Sequence, residues 1–334
     1  MRLRQFWPDS VAEIAGVAIL LLLFIWLEPG DGKTGGLLAP LLNPLFGPLG
    51  NGQEVSSARH IVTGLLLTIA LWLNFATLRL LPWPLQVAAV WLELLLLFAA
   101  FVSSFDRDLG VWFESGRAGQ TNLAYLISTG AFTTLYVSII SIGIACVFAM
   151  TAALGRLSRS GPAYAIATFY ISFFRGTPLL LQVYLIYVGL PQLGREFALD
   201  AVPSGILALS LCYGAYLAEI FRAGIIGVPH GQHDAALALG LDRRLTFRKI
   251  ILPQAMRLIV PPTGNQFIAM LKDSSLVSVM GVWELTKTAQ VIGKRDFKVF
   301  EMLIAAALIY WVMSICFELI QSRIEAYYGK GDVR

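Results

Sequence analysis

Eight apolar stretches succeed one another along the chain, at about 11–28, 60–81, 84–102, 129–154, 163–190, 204–226, 263–283 and 302–322. A helix needs about 20 mostly apolar residues to cross a bilayer. The pattern therefore predicts an all-α integral membrane protein with about eight transmembrane helices. Pro82-Trp83-Pro84 forces a turn between the second and third stretches, because proline cannot continue a helical ladder. Residues 29–58, rich in Gly, Pro and Asn, and residues 103–120, with Asp106, Arg107 and Asp108, read as exposed loops. The first stretch ends Leu27-Glu28-Pro29-Gly30 without a small-x-small cleavage site, so a retained span is expected rather than a secretory signal.

Composition agrees with lipid as the main solvent. The chain of 334 residues is 57% hydrophobic and 14% charged, against about 25% charged residues in ordinary globular proteins. The net charge of +4 is small, and its placement is more informative than its size. Lys and Arg concentrate in the segments that an N-inside topology puts in the cytoplasm, among them Arg243, Arg244, Arg248 and Lys249. The segment at 284–300, with Lys287, Lys294, Arg295 and Lys298, runs against that bias. Both termini are thus expected in the cytoplasm. Cys146, Cys212 and Cys316 lie inside apolar runs, as small buried hydrophobes rather than a disulfide framework.

The part before residue 120 carries few intramembrane polar groups beyond Glu93, Asn74 and a few Thr. We read it as a packing module of three spans (1–120), followed by a five-span working core (121–334).

Four constellations carry candidate chemistry. In the loop 229–262, residues 232–239 are helix formers in their middle, Gly240 can take the left-handed conformation that ends a helix, and Asp242 can cap a second helix over 243–252 that Pro253 closes. Small Ala235 and Ala236 allow close approach of a partner, and Leu237, Leu239 and Phe247 offer apolar anchors beside Asp234. The plain alternative is a connector with no partner.

The second is Phe173-Phe174-Arg175-Gly176-Thr177-Pro178, a helix break in which Thr177 can cap and Pro178 suits the first position of the restarted helix. Broken helices are tolerated in a membrane only against protein or a wet cavity. The new N-terminus with Arg175 favours an anion such as a carboxylate, unless Arg175 snorkels to headgroups.

Third, Lys272, Asp273, Ser274 and Ser275 interrupt the seventh stretch. A charge at the bilayer centre costs roughly 2.5–3.5 kcal/mol, so such residues are functional candidates by default. Asn265 shares a face with Lys272, and Gln266 with Asp273. A fixed cation beside a fixed anion suits a zwitterionic α-amino acid, or else an internal ion pair that holds helices together. Fourth, Glu219 and Arg222 at i,i+3 form a local ion pair, with Glu219 also open to a pathway role.

Other patterns fall away. Gly32-Lys33-Thr34 lacks the first glycine of a phosphate loop, so no nucleotide site is expected in this chain. His230 and His233 lack companions at metal-ligand spacing apart from Asp234, and no metal site is expected there. No basic nucleic-acid surface occurs.

The segments FFRGTPLLLQVYLIYVGLP, YGAYLAEIFRAGI, GQHDAALALG, ILPQAMRLIVPPTGNQF and LKDSSLVSV together resemble the histidine/glutamine/general L-amino-acid branch of ABC importer permeases, from about residue 125 onward. Residues 234–253 resemble that family's cytoplasmic EAA loop, with Asp234 where Glu is usual. The resemblance implies a type I permease core of five helices, extended here by three N-terminal helices like the longer subunit of a heterodimeric general system. It further implies a bacterial inner-membrane location, a second permease, two cytoplasmic ATPases that hydrolyse ATP with Mg, and a periplasmic amino-acid-binding protein. It places Lys272, Asp273, Ser274, Ser275, Arg175, Thr177, Glu219 and Gln266 along the substrate pathway. Asp234, Ala235, Ala236, Leu239, Gly240 and Phe247 fall at the ATPase contact. The cargo expected is an L-amino acid, or alternatively another small polar solute. An ion-coupled secondary transporter would show matching breaks in two halves, and only one Arg-Gly-Thr-Pro break is present.

Overall fold

The computed structural model describes residues 69, 73–74, 76–104, 109–116 and 119–328. These fall into two compact units, divided between Arg107 and Asp108. In the first, α1 (Trp83–Ser104) follows the proline turn, and Asn74 Nδ2 donates to Glu93 Oε2 at 2.9 Å, so these two polar groups satisfy each other. The first apolar stretch, the loop 29–58, Gly32-Lys33-Thr34 and most of the second stretch lie outside the described residues.

The second unit contains α2 (Asn122–Leu157), α3 (Gly161–Gly176), α4 (Leu179–Gln192), α5 (Ala201–Ile226), α6 (His230–Ala238), α7 (Arg243–Thr246), α8 (Leu252–Asp273), α9 (Leu285–Arg295) and α10 (Val299–Tyr328). Every described element is helical or a turn, apart from one isolated bridge between Ser115 and Thr121. By length and apolarity α2, α5 and α10 can each cross a membrane, and α3 with α4 meets the same criterion only as a pair bent by 108°, a broken span or a re-entrant loop. The expected span at 263–283 is not one helix. It is divided between the end of α8 and a 3-10 turn at Ser274–Met280, because Asp273, Ser274 and Ser275 interrupt the apolar run. The count of eight spans extends beyond the described residues.

α5 is the central element and packs on α2, α3 and α8. Ala145, Ala149 and Ala153 recur at i,i+4 along α2 and are all buried, so the two backbones approach closely. At the crossing, a Cβ on Gly214 would meet Phe148 Cβ at 2.9 Å and Tyr170 Oη at 2.5 Å. A second, smaller core gathers Val111, Leu126, Leu285, Ala289, Ile292 and Met302 under α9 and α10.

The expected loop at 103–120 and the basic segment at 284–300 turn out to be built structure. Within 103–120, Leu109–Trp112 forms a 3-10 turn with Val111 buried, and Trp112 Nε1 donates to the Glu301 carbonyl at 3.0 Å. Within 284–300 lies the whole of α9, an amphipathic helix too short to span.

Pro253 does not end a helix. From Arg243 to Asp273 the backbone stays helical, passing through a π-turn at Phe247–Ile251 into α8, with Pro253 in its first turn. The π-turn already interrupts the ordinary ladder, so a residue without an N–H is accommodated there. Gln254 Nε2 adds a bond to the Ile250 carbonyl at 3.0 Å. Farther along, Gln321 of α10 donates to the carbonyl of Pro261 at 2.7 Å and occupies the space that a side chain on Gly264 would fill.

Candidate functional site

The break between α3 and α4 is capped from within. Gln182, only 2% exposed, sends Nε2 to the Phe174 carbonyl (2.9 Å), the Thr177 carbonyl (3.1 Å) and Thr177 Oγ1 (2.9 Å). One buried amide thus satisfies acceptors that the interrupted ladder leaves bare, as a low-dielectric interior requires. Thr177 does not cap the restarted helix. Its hydroxyl donates back to the Phe173 carbonyl at 2.9 Å, and Pro178, in extended conformation, takes the N-cap position instead. Gln182 was legible only as one amide in an apolar run.

Beside the break, residues distant in sequence form a row. The Arg175 guanidinium lies 5.5 Å from the ring centre of Tyr216, and the Tyr216 and Tyr213 rings are 6.3 Å apart. Tyr213 Oη donates to Asp273 Oδ2 at 2.7 Å. Arg175 and Asp273 are exposed, whereas Tyr213 is buried and so fixes the carboxylate from behind. Lys272 is also exposed, in the last turn of α8, and Gln266 and Ser275 are half-buried. Ser274 is fully buried, with Oγ donating to the Leu271 carbonyl at 2.7 Å. It therefore closes the end of α8 and presents no surface to solvent.

Glu219 is committed elsewhere. It accepts from Arg222 Nε (3.0 Å) and Nη2 (2.8 Å), and Arg156 Nη2 of α2 stands 4.0 Å away. Arg156 also bonds Thr168 Oγ1 at 3.1 Å and lies over the Tyr164 ring, so this cluster ties α2, α3 and α5 together. The arrangement favours the ion-pair reading of Glu219.

The helix pair at 230–246 is capped as the spacing implies. Gly240 has φ +75°, Leu241 N–H bonds the Ala236 carbonyl at 3.1 Å, and Gly240 N–H bonds the Leu237 carbonyl at 2.9 Å, a Schellman cap. Asp242 Oδ1 accepts from Leu245 N–H at 2.7 Å. Asp234, Ala235, Leu237 and Leu239 are exposed, Leu239 at 78%. Ala236 is buried within the chain and offers no surface to a partner, while Phe247 is half-buried against the main core.

At α9, Glu284 was not singled out by its sequence context. It is fully buried, and its carboxylate accepts from Thr286 N–H (2.8 Å), Lys287 N–H (2.6 Å) and Tyr310 Oη (2.7 Å). Burial raises its pKa above the ordinary 4.5, and the N–H bonds only partly offset that. Leu285 N–H reaches Thr134 Oγ1 at 3.2 Å, and Arg295 Nη2 reaches Asn122 Oδ1 at 3.3 Å.

An all-helical bundle with a capped membrane break, exposed charges beside it and a protruding helix pair is the architecture of a membrane transport subunit. Residues 141–328 match the family model described as the binding-protein-dependent transport system inner membrane component, and the chain belongs to that family. It is 39% identical over 198 residues to the probable amino-acid permease protein YxeN of Bacillus subtilis, covering 59% of this chain and 88% of that one. It is 36% identical over 200 residues to the glutamine transport system permease protein GlnP of Escherichia coli, covering 60% and 91%. Among solved structures, a chain of an amino acid ABC transporter crystallised with histidines superposes with TM-score 0.57 at 38% identity, covering 61% and 94%. The MetNI methionine ABC transporter, at 17% identity and TM-score 0.53, shares the fold.

Proposed function

We propose that this chain is the permease subunit of an ATP-driven, binding-protein-dependent importer of L-amino acids in a bacterial inner membrane. It pairs with a second permease, and two cytoplasmic ATPases supply the energy by hydrolysing ATP with Mg. The N- and C-termini are cytoplasmic, three N-terminal helices precede the five-helix core, and the sequence segments 1–120 and 121–334 divide packing from transport, with residues 109–116 folding into the second unit. The relatives' names support the amino-acid cargo, and the Lys and Arg distribution supports the orientation.

One observation carries the mechanism. The helical path from Arg243 to Asp273 joins the protruding helix pair to the Tyr213–Asp273 contact without a break. At 1.5 Å per residue the path is at most about 45 Å long, and Pro261 and Pro262 inside α8 are the points at which it bends. ATPase closure against Asp234, Ala235, Leu239 and Gly240 tilts α7 and α8 and so moves Asp273 relative to Arg175 on the break. An amino acid presents its ammonium to the Asp273 carboxylate and its carboxylate to Arg175, with Lys272, Ser275 and Gln266 along the same route. Tyr213 holds the Asp273 carboxylate oriented, which limits the reorganisation needed on binding.

The test is uptake in reconstituted vesicles. Asp273→Ala should cut amino-acid transport at least tenfold while the ATPase still copurifies. Full uptake by that variant removes Asp273 from the pathway, and failure of any ATPase to copurify in mild detergent defeats the importer reading.

A further inference from the structure

α2, α8 and α10 leave a slot between them that the transport pathway does not use. Its volume is about 770 Å³, and its walls include Gly143 and Val147 of α2, Val260 and Phe267 of α8, and Phe317 and Ile324 of α10. The polar side chains in those walls are taken up by the protein's own backbone. Thr151 Oγ1 donates to the Phe148 carbonyl (2.9 Å), Thr263 Oγ1 to the Ile259 carbonyl (2.8 Å) and Gln321 Nε2 to the Pro261 carbonyl (2.7 Å). Such walls suit a hydrocarbon chain and not a polar solute.

The register of α8 decides which way the slot faces. Met256 and Thr263 line it, and Asn265 and Lys272 follow them by nine residues each, about two and a half helical turns. The slot and the exposed Asn265 and Lys272 therefore occupy opposite faces of α8. A second permease that completes the pathway lies across from the slot, whose wall residue Val147 is 65% exposed. On the outer face of a membrane bundle the surrounding solvent is lipid.

Length and charge fit one lipid. The Phe267 and Phe317 rings, 4.9 Å apart, stand at one end of the slot. Arg257 follows Met256 at the other, ten residues or about 15 Å from Phe267. One leaflet of a 30 Å hydrocarbon core is also about 15 Å deep. The Gln321–Pro261 and Phe317–Phe267 contacts run in opposite senses along the two chains, so α8 and α10 are antiparallel there. Arg257 lies four residues from Pro261, and Glu325 four residues from Gln321 toward the same end, which brings both to one level at the mouth. Both are exposed, and no ion pair joins them among the described residues. Gln321 Nε2 donates to Glu325 Oε1 at 3.0 Å and steadies that carboxylate. Arg323 points about 200° round α10 from Glu325.

We propose that the slot holds one acyl chain of a membrane phospholipid, with its phosphate at Arg257 and an ammonium headgroup, as in phosphatidylethanolamine, at Glu325. A fixed cation and a fixed anion at headgroup level match that zwitterion, and pockets between spans are known seats for lipid headgroups. The choice of face rests on the pathway reading given above.

Native mass spectrometry of the whole transporter in mild detergent should show phosphatidylethanolamine retained in preference to phosphatidylglycerol. In vesicles, phosphatidylethanolamine with a diazirine in its acyl chain should label peptides of α2, α8 and α10. A Cβ on Gly143 meets no atom within 4 Å, so Gly143→Leu fills the slot without a clash. That variant should lose the adducts while its melting temperature is kept. Arg257→Gln should weaken retention about tenfold, and Glu325→Gln should remove the preference between the two lipids. Adducts unchanged in Gly143→Leu, equal retention of both lipids by the native chain, or capture of a protein segment by benzoylphenylalanine at position 143 overturns the proposal. The same photo-crosslinker at position 265 separates this failure from that of the pathway. Lipid adducts at 265 defeat the pathway reading and the choice of face with it, whereas no lipid adduct at either position defeats the slot alone.

Discussion

The chain ends two of its short helices with the same turn and makes opposite choices of residue. At the end of α6, Gly240 takes the left-handed position at φ +75°, and at the end of α9, Phe297 takes it at φ +54°. The α6 corner is held mainly by local bonds, from Leu241 to Ala236 and from Leu245 to Asp242, and leaves Leu237 and Leu239 in the open. The α9 corner is anchored by partners far away in sequence, Tyr310, Thr134 and Asn122, and buries Leu285, Ala289 and Ile292. A locally capped helix pair can shift as a unit when pushed. An element tied on several sides stays put, and only such an element can hold a strained residue in place.

The sharpest way to break this comparison is at Glu284. Glu284→Ala strands the Tyr310 hydroxyl and two backbone N–H groups, and should cost about 3 kcal/mol, read as a large drop in the detergent melting temperature. A smaller effect concerns pH. Because the folded carboxyl has a raised pKa, the native state holds its proton longer than the unfolded chain does. Stability from this group is full below about pH 4.5 and falls as pH rises through the folded value. Melting temperatures measured from pH 4 upward should decline, and Glu284→Gln should flatten that slope.

Gly240→Ala should destabilise by about 1 kcal/mol, since a side chain is introduced at positive φ. Phe297→Gly should do the reverse. Relief of about 1–2 kcal/mol of left-handed strain, less about 0.4–1 kcal/mol for the looser unfolded chain, leaves a gain of about 0.5 kcal/mol. If both variants shift melting in the same direction, the contrast between the corners is wrong.

Legibility followed the range of the interactions. Gly240 and Asp242 were found where the spacing put them, because a cap involves residues within one turn. The break at Gly176–Pro178 was legible for the same reason, but Gln182 as the group that satisfies it was not, since nothing local separates that amide from a pathway residue. Pro253 was misread as a terminator, because a proline signals its missing N–H and not the π-turn that accommodates it. Ser274 beside Asp273 looked like pathway and is buried, because the end of α8 turns one neighbour outward and the other into the core.

By itself, the amino-acid order determined the membrane character, the positions of most described helices, the helix break and the caps of the protruding pair, all of which depend on periodicity or on neighbours a few residues apart. Only the tertiary structure decided that Tyr213 bonds Asp273, that Glu219 is held by Arg222 near Arg156, and that Glu284 joins α9 to α10. Those pairings lie 26 to 63 residues apart, except Glu219 with its own-helix Arg222. The first two exist because α5 crosses α2 and α8 at small residues and the third because α9 packs on α10, and no local pattern encodes where helices cross.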